Sequence, residues 1–340
     1  MKKILHVTMS NAYGGAETVI FSIIDKIKKY NEFYYFCPKG NIENLLKKKN
    51  INYKAMDVNK ISKEIKKSNC DIVHAHDFKA SIVCALYSRG KEVISHLHTN
   101  HDWLKKIGLK SILYLLVSRR FKNIIIVSES MAKDIWFYKF IKNKTKVMIN
   151  PIDRERIIKL SDSETFNKNY DLAFLGRLSD YKDPLRFIEI IHNIKCNKKD
   201  IRAVIIGDGE LKEECIQKIK ECNLSENIEM VGFLENPFPL IKKSRLLIMP
   251  SKVEAFGLSA IQSMVLGKPV VATNVGGLKD IINSKNGMLC ESNEEFISNI
   301  LEILNNNELY DKLSKESKRS SKEIGNIDKY MDKLISIYDY

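Results

Sequence analysis

Residues 251–277 read SKVEAFGLSAIQSMVLGKPVVATNVGG. The apolar run Leu246–Met249 just before them reads as a strand, and Pro250–Gly257 as the loop that leaves it. Leu258–Leu266 then reads as a helix ended by Gly267 and Pro269, with a new strand over Pro269–Ala272. Strand, loop, helix and strand in that order make a βαβ unit, which places both strands parallel in one sheet. Gly257 lets the backbone come close to a ligand, and the unpaired N–H groups of the helix's first turn offer negative charge a place to bind. Glu254 can be a dipole-stabilising carboxylate at the helix start or a group that holds a ligand. Gln262 stands one turn into the helix, polar among apolar and small neighbours.

The same alternation extends in both directions. Leu172–Leu175, Ala203–Ile206 and Ile228–Val231 are further strands, with helices over Pro184–Ile194 and Leu211–Cys222 between them. An earlier series runs Ile4–Thr8, helix Glu17–Lys29, Phe33–Cys37, a charged helix, Ile72–Ala75, Val93–His98 and Ile124–Val127. Tyr30, Phe33, Tyr34 and Tyr35 read as strand core rather than a sugar platform. The expected architecture is therefore two doubly wound α/β lobes joined near Asn150-Pro151-Ile152-Asp153, in a chain of 340 residues and 44% hydrophobic content that can bury two cores. After Ser292 the chain turns helical and polar, and Ile327, Tyr330, Met331, Leu334, Ile335 and Tyr338 mark a last helix whose apolar stripe needs a partner surface.

No apolar run approaches the roughly 20 residues that cross a bilayer, and Thr8, Ser10 and Asn11 cut the N-terminal apolar segment too short for a signal peptide. Seven scattered cysteines without a C-x-x-C pair argue against a disulfide framework or a thiolate metal site, and fit a reducing cytosol. The formal net charge of +14 favours anionic partners, although a Lys- and Asn-rich composition throughout supplies part of it.

In open α/β sheets ligands bind outside the carboxyl ends of the strands. Gly-bearing turns fall at those ends at Gly14-Gly15, Gly176-Arg177, Gly207-Asp208-Gly209 and Gly276-Gly277. Arg177 and Lys182, just past one strand, are cations of fork and point geometry suited to a diphosphate, or else solvated surface charges. No D-x-D follows a strand, and no histidine or aspartate cluster has ligand spacing along the chain.

These residues resemble the retaining glycosyltransferases of family 4, which have the two-lobed GT-B fold. The resemblance covers nearly the whole chain: NAYGGAE (11–17), DIVHAHD (71–77), SHLHT (95–99), VSES (127–130), INPID (149–153), FLGRLSDYK (174–182), IIGDGE (205–210), the quoted stretch through VVAT, and VGG (275–277) follow in the family's order. It implies two Rossmann-like lobes facing across a cleft: an N-terminal acceptor lobe of residues 1–152, with a C-terminal helix of about 325–340 crossing back to it, and a nucleotide-sugar lobe of residues 153–324. It implies catalytic roles for His98, facing the reacting sugar, and Glu254, holding sugar hydroxyls. Donor contacts fall to Gly14, Gly15, Arg177, Lys182, Gly209, Phe233, Phe256, Gly257, Leu258 and Gln262. His74, His76 and His96 are weaker candidates. Gln262 departs from the pattern, since the family usually has a second glutamate there for the ribose hydroxyls; an amide keeps one acceptor but loses the charge.

The activity implied is a metal-independent, hexosyl-type transfer, without cofactor, from a nucleotide-sugar (a UDP-sugar first among them) to a glycan or lipid-linked acceptor in cell-surface glycan synthesis. A non-catalytic nucleotide-sugar or glycan-binding partner of another transferase is the alternative that Gln262 keeps open. A dinucleotide oxidoreductase lacks its fingerprint, because Gly207-Asp208-Gly209 has no third glycine. Nucleic-acid binding has only charge in its favour. The segment 101–120 mixes Trp103, Leu109, Ile112, Leu113 and Leu116 with Lys105, Lys106, Lys110, Arg119 and Arg120. It reads either as a helix on an anionic membrane surface, which would place a cytoplasmic protein on the inner membrane face, or as a core helix with a solvated basic side.

Overall fold

The computed structural model of the chain describes residues 1–11, 13–164 and 166–339. Ala12 of the first glycine loop and Tyr340 of the expected last helix lie outside the described residues. The chain divides into two compact units: residues 1–151 with the helix Ile327–Asp339, and residues 152–326.

The first unit holds a seven-stranded sheet of β1 (Lys3–Val7), β2 (Glu32–Pro38), β3 (Tyr53–Met56), β4 (Ile72–His76), β5 (Glu92–Leu97), β6 (Phe121–Ile126) and β7 (Thr145–Val147). The spatial order is β3-β2-β1-β4-β5-β6-β7, and every pairing is parallel. The second unit holds β8 (Tyr170–Leu175), β9 (Ala203–Ile206), β10 (Ile228–Gly232), β11 (Ser244–Met249), β12 (Val270–Thr273) and β13 (Gly287–Cys290) in the order β10-β9-β8-β11-β12-β13, again all parallel. Both orders reverse direction beside their first strand, between β1 and β4 in one unit and between β8 and β11 in the other. That switch point is where loops diverge and leave room for a ligand.

The strands are near-continuous apolar runs because helices cover both faces of a parallel sheet. AVII of β9 and VVAT of β12 are buried at every position. Helix Pro184–Lys195 shows how a covering element is specified: Asp183 caps its start by accepting from the Arg186 N–H at 3.2 Å, Pro184 takes the first position, and Phe187, Ile188, Ile191 and Ile194 turn inward. In the first unit the helix Ile327–Asp339 buries Tyr330, Met331, Leu334, Ile337 and Tyr338, which is the partner surface its stripe required.

Three strands escaped the sequence reading: β3, β7 and β13. All are edge strands of three or four residues. An edge strand pairs on one side only, so it tolerates lysines and short length that would be costly in the middle of the sheet. The aromatic reading also needs correction. Phe33 and Tyr35 are buried and Tyr34 half-buried, but Tyr30 precedes β2 and is exposed.

Candidate functional site

In the second unit the loops after β8 and β11, which flank the switch point, are sewn together by backbone bonds. The Lys252 N–H donates to the Tyr181 carbonyl at 2.9 Å, and the Lys252 ammonium pairs with Asp180 and Asp183. This seam brings Lys182 and Glu254 together, the Lys182 ammonium donating to the Glu254 carboxylate with both side chains largely buried. Two of the residues singled out from the sequence, 72 positions apart, are therefore one ion pair.

Glycine makes the surrounding backbone possible. A side chain at Gly276, whose φ is +47°, would place its Cβ 1.8 Å from the Glu254 carbonyl oxygen, and the Gly277 N–H donates to that same oxygen at 2.9 Å. The loop after β12 thus locks Glu254 from behind by its main chain and leaves its side chain to Lys182. Gly207, with φ +152°, comes equally close to Gly176, and the Leu178 N–H donates to the Asp208 carbonyl at 3.0 Å. Backbone thus meets backbone between the turns after β8 and β9, and between those after β11 and β12.

The other expected donor residues distribute as follows. Arg177 is exposed on the same loop as Lys182, with no ion pair or side-chain hydrogen bond among the described residues. Gly209 lies against the Leu178 backbone. Phe256 is buried, so only its main chain is offered; Gly257 precedes the helix Leu258–Val265, whose first N–H groups have no intrahelical acceptor. Gln262 is half-buried in that helix. Phe233 follows the edge strand β10 and is exposed.

In the first unit His98 does not stand alone. His6 of β1, His74 and His76 of β4, and His96 and His98 at the end of β5 lie on one face of the sheet, because His6 pairs in register with His74 and His76 with His96. Their rings stack with centroid separations of 3.9 to 5.5 Å. His98 Nε2 lies 2.8 Å from His76 Nδ1, and His76 Nε2 lies 2.9 Å from His6 Nδ1; Tyr338 of the last helix meets His74 Nδ1 at 2.8 Å. Burial holds all five rings neutral: it pushes His6 and His98 down to about 3, a charge on His98 also lowering His6, and His74, His76 and His96 well below the usual range. Asp77, which begins a helix with φ +66°, accepts from the His98 N–H at 2.8 Å; burial raises its carboxyl to about 6 against the pull of backbone bonds from His98 and Thr99. Five buried ring nitrogens have no partner among the described residues, on His6, His74, His96 (both) and His98, and each one that carries a proton costs about 1–3 kcal/mol.

Spacing along the chain hid this cluster. The groups His6/His74/His76 and His76/His96/His98 each bring one nitrogen per ring within 4.8 Å of the others, so the reading that no histidine cluster has ligand spacing does not hold in space. His76, common to both, has its two nitrogens engaged at 2.8 and 2.9 Å. Nitrogens bound tetrahedrally to zinc stand about 3.3 Å apart, from bonds of about 2.0–2.1 Å. The arrangement is a hydrogen-bonded chain, and a metal at His76 would have to open it.

The helix Leu109–Val117 turns Ser111, Tyr114 and Val117 inward. Leu109, Ile112, Leu113 and Leu116 point outward, 85, 42, 39 and 58% exposed, and Lys106, Lys110, Arg119 and Arg120 are exposed around them. The core-helix alternative does not hold for this stripe, because its i, i+3, i+4, i+7 positions face out. Trp103 is not part of it: the ring is half-buried against Phe78 and Tyr114, with centroids 4.6 and 5.6 Å away. Lys105 is tied to Asp102 and Asp134 at 3.8 Å. No helix among the described residues is long and apolar enough to cross a membrane.

Two all-parallel sheets, each gathering polar residues beside its switch point, define a two-lobed α/β protein of the GT-B type. Residues 13–156 match the model of the family described as Glycosyltransferase Family 4, and residues 156–320 that of the family described as Glycosyl transferases group 1. An uncharacterized glycosyltransferase of Methanocaldococcus jannaschii, MJ1178, is 31% identical over 83% of this chain and 79% of its own length. The chain belongs to the group 1 and family 4 glycosyltransferases. Another relative, 27% identical over 81% of this chain and 77% of its own, is the Campylobacter jejuni α-1,4-N-acetyl-D-galactosaminyltransferase that acts on a GalNAc-containing diphospho-undecaprenol glycan. Among solved structures, Anabaena Alr3699/HepE in complex with UDP and glucose superposes with a TM-score of 0.86 over 100% of both chains at 19% identity, a likeness of fold.

Proposed function

We propose that this glycosyltransferase moves a hexose, with retention, from a nucleotide-sugar to a glycan or lipid-linked acceptor in cell-surface glycan synthesis. The single observation that carries the reading is the Lys182–Glu254 pair at the second unit's switch point, on glycine-lined backbone with exposed Arg177 on the same loop. A sugar–diphosphate bond that breaks leaves an oxocarbenium-like carbon and an anionic leaving group, and stabilising that anion is the main catalytic task. Lys182, Arg177 and the N–H groups at the start of Leu258–Val265 supply that stabilisation without a metal. Glu254 then orients the sugar hydroxyls. The bond from C1 to the diphosphate oxygen breaks, the acceptor oxygen bonds C1 on the same face, and the acceptor's proton passes to the departing diphosphate. A UDP-sugar is the first donor to try, since the Anabaena neighbour was crystallised with UDP and with UDP-glucose.

Glu254→Ala tests this directly. The main chain of Glu254, rather than its side chain, holds the loops, so the variant is expected to fold while losing transfer by roughly a thousandfold, about 4 kcal/mol of transition-state stabilisation. Wild-type rates in Glu254→Ala would end the assignment. Gln262 favours a second reading, a binding partner without turnover; a UDP-, GDP- or ADP-sugar that raises the melting temperature of the purified chain yet is never consumed with acceptor present would select it.

A lipid-linked acceptor needs a chain that reaches a bilayer. The outward stripe of Leu109, Ile112, Leu113 and Leu116, rimmed by Lys106, Lys110, Arg119 and Arg120, suits an anionic lipid surface by apolar insertion and charge together. Leu113→Glu with Leu116→Glu should cut co-sedimentation with vesicles containing phosphatidylglycerol at least tenfold and leave the melting temperature unchanged; equal co-sedimentation removes this surface from the proposal.

A further inference from the structure

The sheet of the second unit has a second polar edge. At the N-terminal ends of β8, β9 and β11, opposite the edge that carries Lys182 and Glu254, lies a cavity of about 470 Å³. Its volume falls within the roughly 300–1,000 Å³ of small-molecule sites. The six residues of β8, rising about 3.3 Å each, hold the two edges roughly 17 Å apart. Six cations line the cavity: Lys198, Arg202, Lys242, Lys243, Arg245 and Lys268. Only two carboxylates join them, Asp171 and Asp200.

Those carboxylates are already engaged. Lys198 meets Asp200 at 3.3 Å, the Asp171 carboxylate accepts from the Arg202 main-chain N–H at 3.0 Å, and Lys242 is answered by Asp162 outside the cavity. Arg202, Lys243, Arg245 and Lys268 form no ion pair among the described residues. Arg245 is nevertheless fixed in place: its guanidinium donates to the Leu304 carbonyl at 3.3 Å and the Asn307 side-chain oxygen at 3.1 Å, and lies 4.6 Å from the centroid of the Tyr310 ring. All three partners are neutral, so its position is set while its charge stays uncancelled. Lys268 is half-buried beside it; burial first, and then Lys318, Lys242 and Arg245, lower its ammonium to about 8. Lys318 reaches the same place across Gly267, where a Cβ would stand 2.4 Å from the Lys318 Cε. A Lys-rich composition puts ammonium groups into water, where they cost little; half-burying one among like charges is a local conflict, and such conflicts concentrate where a site is built for a ligand.

We propose that this cavity is a second anion site, which takes a soluble small molecule carrying two or more phosphate groups. The arginines supply forked donors for phosphate oxygens, and the lysines supply point charges. A lone phosphate dianion would cancel only half of the four unpaired charges, whereas a diphosphate cancels most of them. Among the described residues no exposed large apolar side chain lines the cavity, so it lacks the apolar insertion that a bilayer surface uses, and a free anion fits it better than a lipid headgroup. The site shares no residue with the Lys182–Glu254 loops and does not depend on the reaction assigned to them.

The test is calorimetric titration of the full chain with sodium pyrophosphate at neutral pH, in wild type, in Lys268→Met with Lys243→Ser, and in Arg177→Ser with Lys182→Met. The cavity variant should lose one binding event or weaken it by about tenfold or more, while the loop variant keeps that event. Pyrophosphate should also raise the melting temperature of wild type and of the loop variant by more than it raises that of the cavity variant, because an anion that binds only the folded chain stabilises it. Sodium chloride at equal ionic strength is the control: if it raises the wild-type melting temperature as far, the cations need only screening and the proposal is overturned. Pyrophosphate binding that disappears with Arg177→Ser and Lys182→Met and is untouched in the cavity variant also overturns it, and leaves the diphosphate reading of the loops standing. The reverse pattern supports the cavity and counts against that reading. A chain that ignores pyrophosphate but co-sediments with phosphatidylglycerol vesicles, and loses this with Lys268→Met and Lys243→Ser, would replace the soluble ligand with a membrane and overturn the proposal.

Discussion

The two units keep their polar groups in opposite ways. In the first, five histidines enter the middle of a parallel sheet, where they stay uncharged; His6, His76 and His98 bond one another, His74 bonds a tyrosine of the last helix, and His96 is stacked among them. In the second, the buried centres of the strands are apolar and the charges of the candidate site sit on loops beyond their ends, with Lys182 answered by Glu254. The difference is one of desolvation. A buried imidazole can drop its proton within the physiological range and become a neutral donor–acceptor, whereas lysine and glutamate cannot do so cheaply and are kept where a partner or water reaches them.

Acid should break the comparison most forcefully. The folded-state pKa values of the histidines lie below the ordinary 6.5, to about 3 for His6 and His98, so the unfolded chain binds more protons between pH 6.5 and 3. Stability contributed by these rings is fully present above pH 6.5 and is lost as pH falls, by about 1.4 kcal/mol per ring per pH unit at most. Asp77 opposes the loss: its carboxyl is raised to about 6, so it regains stability as pH falls from 6 toward 3.8. Five rings against one carboxyl make the net change a loss of stability between pH 6.5 and pH 5. Trp103 and Trp136 both belong to the first unit, so tryptophan fluorescence should report an acid transition at higher pH than far-ultraviolet circular dichroism, which sees both units. Coincident transitions would contradict the selective loss.

The second unit has its own unfavourable charge, and it titrates on the other side of neutrality. Lys268 is half-buried at the end of the helix that begins at Leu258; burial first, and then Lys318, Lys242 and Arg245 nearby, push its ammonium down to about 8. Between pH 8 and the ordinary 10.5 the unfolded chain binds more protons, so this residue makes stability rise with pH over that window. Lys268→Met should stabilise the chain at pH 7 by about 1 kcal/mol, after allowance for solvent screening, and flatten that rise. A lower melting temperature in Lys268→Met would show that the lysine is held by an anion instead.

How much of this was legible in sequence follows from the same contrast. The site in the second unit is written in short contiguous motifs, because each loop follows its own strand and glycines mark where backbone must touch backbone; Gly276 against Glu254 and Gly207 against Gly176 are the physical content of VGG and GDG. The central strands were equally plain, being unbroken apolar runs. The histidine chain was half written. His74 with His76, and His96 with His98, are two apart and so share a strand face, but that His6 lies opposite His74 and His76 opposite His96 depends on register between strands, which no local pattern encodes. The partner of His74, Tyr338, is 264 residues away. The outward stripe on Leu109–Val117 was visible as periodicity, while its direction is a fact of packing.

The smallest effect concerns Gln262, and it asks whether the second unit's habit of answering charge with charge extends to the ribose. The residue is half-buried in the second turn of the helix Leu258–Val265, and its amide has no hydrogen-bond partner among the described residues. An unengaged amide one turn above a helix start is placed for a ligand hydroxyl, and a carboxylate there would accept the same hydroxyl more strongly, since bonds to an ionised acceptor are roughly twice as strong as neutral ones. The helix N-terminus also favours negative charge. Against this, a carboxylate near a bound diphosphate is repelled by it, so the two contributions partly cancel. Gln262→Glu should therefore tighten UDP binding only about fivefold, near 1 kcal/mol, measured by calorimetry at low salt. Weaker binding in that variant would mean that phosphate repulsion outweighs the ribose contact, and unchanged binding that the nucleotide does not extend along this helix.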